Sequence, residues 1–263
     1  MDFEFTEEQK MLQKTIADFV DKEIVPVAAQ WDEEEKFPYD VWQKMADMGM
    51  CGVSIPKEYG GGGEGEIACD IVTEEISRGS GGLGTAYLVS CGIAAEAIYA
   101  HASKEQCSLY IPRINKGDIA FFAVTEASGG SDVAGMEARY KREGDYFTLN
   151  GAKTFITNGE ESKFGTVYAN SEEYLRANPD LSKIYHGISS FLVEKGTPGF
   201  SLGKKERKIG QHCNSTYEFV FQDCKIPVKN LIGEEGQGFH YLIEGIDASR
   251  CSVAAQVAHT KHC

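Results

Sequence analysis

Apolar positions recur at helical spacing through the first part of the chain and then give way to short strand-like runs. Leu12, Ile16, Phe19 and Val20 share one helical face, which predicts an amphipathic helix over residues 6–23. At its head, Thr6-Glu7-Glu8-Gln9 is a capping box: the Thr6 hydroxyl can accept from an orphan backbone N–H while Gln9 reaches back. Pro38 suits the first turn of the next helix and Gly49 its end. Residues 66–78 and 83–101 read as longer helices, the second apolar enough to be largely buried. Ser103-Lys104-Glu105-Gln106, a second capping box, opens a helix to about Ile114.

The character changes near Gly117. The runs ARYKRE, DYFTLN, GTVYAN, GISSFLVE and YEFVFQDCKI carry the aromatic and β-branched residues and bounding turns of strands. Between them, the polar segment 171–183, with Asn178-Pro179, reads as a surface excursion. From Gly238 the pattern is helical again, with Leu242, Ile246 and Val253 on one face, and the last residue, Cys263, falls inside that pattern. Helices followed by strands make the class α+β.

Length and composition narrow the picture. A chain of 263 residues is long enough for two packed cores, and 42% hydrophobic with 25% charged residues is ordinary for a folded globular protein. The formal charge of −14, from 26 Lys and Arg against 40 Asp and Glu, argues against a broad nucleic-acid or anionic-membrane surface. MDFEFTEEQK has no secretory character, and no stretch is read as reaching the roughly 20 apolar residues of a membrane span. A cytoplasmic location is expected. Eight cysteines without a C-x-x-C pair read as reduced thiols rather than disulfides or metal ligands.

The richest chemistry lies in AVTEASGGSDVAG, residues 123–135. An apolar strand over 119–124 exits at Thr125 into Ser128, Gly129, Gly130 and Ser131, where paired glycines let backbone N–H groups approach a ligand and hydroxyls add directional bonds. Downstream, Asn150-Gly151 is a hairpin-turn signal, with Thr154–Thr157 resuming the strand. The G-x-G-x-x-G match at 60–65 lacks a preceding strand and is discounted as a dinucleotide site. Asn214-Ser215-Thr216 is discounted as a glycosylation acceptor. The six histidines, including His259 and His262, make no metal spacing, and no metal site is expected.

These motifs, with GQHCNSTYEFVFQDCKIP at 210–227, LIGEEGQGF at 231–239 and MCGVSIPKEYGG at 50–61, resemble the flavin-dependent acyl-CoA dehydrogenase family in order and spacing across essentially the whole chain. The resemblance implies an N-terminal all-helical domain at 1–117, a middle β-barrel-like domain at 118–230 and, at 231–263, the start of a C-terminal helical domain of which most is lacking. It implies FAD as cofactor. Phe122, Val124, Thr125, Gly130, Ser131, Phe155 and Thr157 would bind it: the Val124 backbone and Thr125 at the pyrimidine edge, Ser131 at the pyrophosphate, Thr157 near N5, and Phe155 packed against the ring.

Ser131, Asp247 and Arg250 would contact an acyl-CoA substrate, although Asp247 and Arg250 taken alone read rather as a surface helix pair. The implied activity is α,β-dehydrogenation of an acyl-CoA thioester to a 2,3-enoyl-CoA with hydride transfer to FAD, reduced in this chain by the missing domain. Electron-transfer flavoprotein is the implied acceptor and a homotetramer the full-length assembly. Departures matter too: His212 stands where the family has arginine, Asn214 replaces a serine, and Ser249 occupies a position where a minority carry the catalytic carboxylate. No catalytic residue is assigned. Two alternatives stay open: a relative acting on a cyclic or aromatic acyl-CoA, with Glu96, Glu244 or Asp247 as base, and a non-catalytic module.

Overall fold

The computed structural model describes residues 4–258. Helix α1 (Glu7–Phe19) begins at Thr6, whose hydroxyl accepts from Gln9 N at 3.2 Å while Gln9 Oε1 accepts from Thr6 N at 3.0 Å. It runs into a π-helical turn, Val20–Ile24, with both end residues buried. After α2 (Ala28–Glu33), Pro38 sits at the N-cap of α3 (Tyr39–Asp47), one position ahead of the first turn. Gly49 leaves that helix at φ +79°, a left-handed exit that glycine makes without penalty.

Helix α4 (Gly65–Gly79) is followed by α5 (Gly81–Tyr87), which continues through π-type turns at Leu88–Ala94 into α6 (Ala95–Tyr99). This run has the length read for residues 83–101, displaced by two residues. Gly81–Tyr99 has the length and composition to cross a membrane, at mean hydropathy 1.3, but 72% of it is buried inside the protein. Packing against α4 and the first strand accounts for its apolarity. Ser103 caps α7 (Lys104–Asn115) through the second capping box.

Eight strands form one sheet: β1 (Ala120–Ala123), β2 (Arg139–Glu143), β3 (Tyr146–Thr157), β4 (Phe164–Ser171), β5 (Ile188–Glu194), β6 (Phe200–Lys205), β7 (Thr216–Pro227) and β8 (Leu231–Ile232). The order is β6-β7-β3-β2-β4-β5-β8, with β1 beside β4. The end strands β6 and β8 do not pair with each other among the described residues, so the sheet is open. Both β1 and β2 run parallel to β4 along the edge not taken by β5, β1 beside Phe164–Val167 and β2 beside Asn170 and Ser171. Residues 124–138 must therefore leave the sheet and return to the same edge. Phe121, Tyr140, Phe147, Phe191 and Phe219 fill the core beneath, several edge to face. A second core joins sheet and helices, since Phe164, Leu192 and Ile232 pack with the helical residues.

Three sequence readings change. Asn150-Gly151 is no hairpin turn; both residues lie inside the continuous strand β3, and the β2–β3 turn falls at Gly144-Asp145. Gly151 instead marks a bulge against β7, where a Cβ would sit 2.7 Å from Ala138 Cα, a close approach only glycine tolerates. The excursion 171–183 contains a short helix, α8 (Glu172–Ala177), and β6 and β8 were unread. In α9 (Gly238–Ala258), Leu242 is buried and Ile246 half-buried, but Val253 is 45% exposed. The packed side instead continues through the half-buried Ser249 and the buried Gln256. His259, His262 and Cys263 lie outside the described residues.

Candidate functional site

The loop from β1 to β2 displays its polar residues. Glu126 and Gly129 exchange backbone hydrogen bonds at 3.2 and 3.1 Å, a tight turn that leaves Ser128, Gly130 and Ser131 exposed. A Cβ on Gly130 would sit 3.2 Å from Thr125 Cγ2, so glycine lets the chain fold back over Thr125. Two of the loop's carboxylates, Asp132 and Glu126, act as caps. Asp132 Oδ1 accepts from Gly135 N at 3.3 Å. The Glu126 carboxylate accepts from Ala138 N at 3.0 Å and from Glu137 N.

Sequence reasoning missed the partner of Glu126. Lys153 Nζ lies 2.6 Å from Glu126 Oε1 and donates to the Val124 carbonyl at 3.0 Å, with the lysine side chain fully buried. Burial pushes the Lys153 ammonium down to about 8, opposed by the Glu126 charge. The period-2 pattern of β3 places Lys153 in phase with the buried Phe147 and Leu149, but nothing near it in sequence names Glu126 as its partner.

A bulge in β3 between Lys153 and Ile156 sets Phe155. Its φ is +59°, a left-handed conformation costly for an aromatic residue, and its side chain is 63% exposed. Thr154 N donates to Thr125 O at 2.8 Å, which ties the exit of β1 to the base of Phe155. Thr125, Gly130 and Phe155 thus meet at one sheet edge, with Ser131 next in the loop and Thr157 closing β3. An exposed, strained aromatic wall beside a glycine-lined loop fits a flat ring system whose edge needs hydrogen bonds. Phe122 is placed differently: its ring is half-buried against Tyr168, 5.4 Å away.

The start of α9 packs on the back of this loop, where Val124, Met136 and Leu242 form a small core with Val133, Phe239 and Ile246. Asp247 and Arg250 follow on the exposed side, 4.0 Å apart at 73% and 74% exposure. Nearby, a cavity of about 460 Å³ is lined by Tyr185, His186, Phe239 and His240, with Tyr185 packed on His186 and Phe239 at 4.3 and 5.2 Å. Glu244 lies 3.1 Å from His240 and 3.4 Å from His101. Ser249 lines a narrow crevice with Glu66, Cys69, Glu96 and Tyr99, in which burial, aided by Glu66, pushes the Glu96 carboxyl up to about 7. His212 and Asn214 lie in the β6–β7 loop, where Lys208 O is 2.8 Å from His212 Nε2 and Lys208 Nζ reaches Asn214. The glycines at 60–65 fold onto Gly52, Val53 and Ile55 by backbone hydrogen bonds, as a structural loop.

Two family models match: the acyl-CoA dehydrogenase N-terminal domain over residues 6–118 and the acyl-CoA dehydrogenase middle domain over 121–224. The chain is a member of the acyl-CoA dehydrogenase family. Among its relatives, the short-chain specific acyl-CoA dehydrogenase of Clostridium acetobutylicum is 37% identical over 97% of this chain and 66% of its own length. The acryloyl-CoA reductase (NADH) of Anaerotignum propionicum is 39% identical, over 97% of this chain and 64% of its own. The structure of butyryl-CoA dehydrogenase from Megasphaera elsdenii superposes with TM-score 0.89 at 32% identity, covering 97% of this chain and 66% of that one. This acyl-CoA dehydrogenase family chain thus spans about two thirds of the length of the relatives it matches.

Proposed function

We propose that this chain binds FAD and an acyl-CoA thioester and forms the cofactor-edge part of a site for α,β-dehydrogenation to a 2,3-enoyl-CoA. The observation that carries the reading is Phe155, held exposed at φ +59° beside Thr125. FAD, when bound, supplies the acceptor for the hydride leaving the β carbon. The Val124 backbone and Thr125 would hold the pyrimidine edge, Phe155 would wall the ring, Thr157 would sit near N5, and Gly130 and Ser131 would receive the pyrophosphate. Phe122 supports the site from beneath through Tyr168. The division into 1–117, 118–230 and 231–263 belongs to the same proposal.

For the substrate, the aromatic cavity at Tyr185 and Phe239 would suit a stacked adenine, and Ser131, Asp247 and Arg250 would contact the acyl-CoA. Removing the α proton needs a positioned carboxylate and stabilisation of the developing enolate. Ser249 supplies no carboxylate, Glu244 is engaged with two histidines, and Asp247 is exposed. No base is assigned: Glu96, in the crevice beside Ser249 with its carboxyl pushed up to about 7 by burial, stays a candidate, and the residues named above bind and orient. In the whole protein, electron-transfer flavoprotein is the proposed acceptor and a homotetramer the proposed assembly. The 39% identity to an acryloyl-CoA reductase favours one second reading, the same carbon–carbon bond run in the reducing direction.

Visible spectra of the chain with added FAD, followed by anaerobic titration with butyryl-, octanoyl- and benzoyl-type acyl-CoAs, test this. Flavin binding is expected; bleaching by one substrate would place a base within the chain, and no flavin binding would overturn the reading.

A further inference from the structure

We propose that the buried Lys153–Glu126 pair is the positioning element that holds loop 124–138 in its ligand-binding shape, and that this pair sets flavin affinity. The inference rests on the flavin reading above. The loop has few ties of its own, the Glu126–Gly129 turn and the Asp132 cap, and glycine-rich backbone is costly to order. Glu126 bridges its two ends, accepting from Glu137 N and Ala138 N. Lys153 pins that carboxylate from β3 and takes the Val124 carbonyl as well.

The Val124 bond has a directional consequence. In a trans peptide the C=O and the following N–H point opposite ways, and no cis peptide occurs among the described residues. Drawing Val124 O inward to a fully buried ammonium turns Thr125 N–H away from the core, toward the ligand side. A side chain that never reaches the surface thereby aims a backbone donor that does.

Charges face the pair from several elements: Arg139 on β2, Glu137 in the loop, and Glu218 on β7, which with Glu126 and Glu137 lines a cavity of about 280 Å³. A test must hold these constant. Replacing only one partner would strand a buried charge and risk unfolding, so the informative variant is Lys153→Met with Glu126→Gln, which removes both charges and keeps an acceptor for the loop amides. Its thermal midpoint should stay near that of the parent, while amide exchange in 127–135 speeds up and the FAD dissociation constant rises by about tenfold.

Acidity separates positioning from simple support. Lys153 loses its proton more readily folded than unfolded, so raising the pH from about 7 to about 10 does not cost the fold its stability through this group. FAD affinity should nevertheless fall over that range in the parent, and this fall should be absent in the double variant, which retains Arg139, Glu137 and Glu218. A double variant that keeps both its loop protection and its FAD affinity overturns the proposal. Failure of the parent to bind FAD would instead sink the flavin reading, and the exchange rates of 127–135 would still decide whether the pair orders the loop.

Discussion

Asp32 on α2 accepts a hydrogen bond from Cys213 N at 3.1 Å, and its second oxygen lies 3.6 Å from His212 Nδ1. One carboxylate of the helical layer therefore anchors the β6–β7 loop of the sheet. Asp32→Ala leaves the amide of the buried Cys213 without its acceptor and should cost about 1–2 kcal/mol in urea unfolding. Asp32→Asn keeps an oxygen for Cys213 N and should cost less. Equal stability of the alanine variant and the parent would show that the loop is held elsewhere.

Phe155 behaves unlike an ordinary aromatic residue. Truncating a core Phe costs about 3–5 kcal/mol, but this ring is 63% exposed on left-handed backbone, which glycine adopts without strain. Phe155→Gly should hold the melting temperature level or raise it, while weakening FAD binding as followed by fluorescence quenching. A marked fall in melting temperature would contradict the strain argument.

Glu96 links stability to acidity. Its carboxyl is pushed up from 4.5 to about 7, so the folded chain binds that proton more tightly than the unfolded one. Its contribution is fully present below about pH 4.5 and is lost as the pH rises through about 7. Such a shift corresponds to roughly 3 kcal/mol, and solvent access at a half-buried group reduces it to about 1 kcal/mol. Relative to the parent, Glu96→Gln should therefore gain stability between pH 5 and pH 8; parallel melting curves across that range would refute the assignment.

Asp247 and Arg250 separate binding from folding. At 4.0 Å and more than 70% exposure, the pair should contribute under about 0.5 kcal/mol, so alanine at either position leaves denaturation unchanged. If they contact the substrate, Arg250→Ala weakens acyl-CoA binding by about tenfold in calorimetry. Unaltered binding would leave them a surface pair.

What the sequence by itself determined is what depends on near neighbours. Thr6 with Gln9 and Ser103 with Gln106 start helices because the donor and acceptor lie within one turn, and Gly49 ends one because its φ is a property of that residue. The motifs around Thr125 and Gly130 located the loop and the family, since a turn that exposes backbone is written in its glycines.

Tertiary structure decided the rest. Asn150-Gly151 has the local chemistry of a hairpin turn, yet Ala138 packed against Gly151 demands glycine inside a strand. Lys153 points inward in phase with Phe147 and Leu149, but only the fold brings it onto Glu126, 27 residues away in the chain. Burial, register and long-range charge pairing are properties of what the fold brings together, and no window of sequence contains both partners.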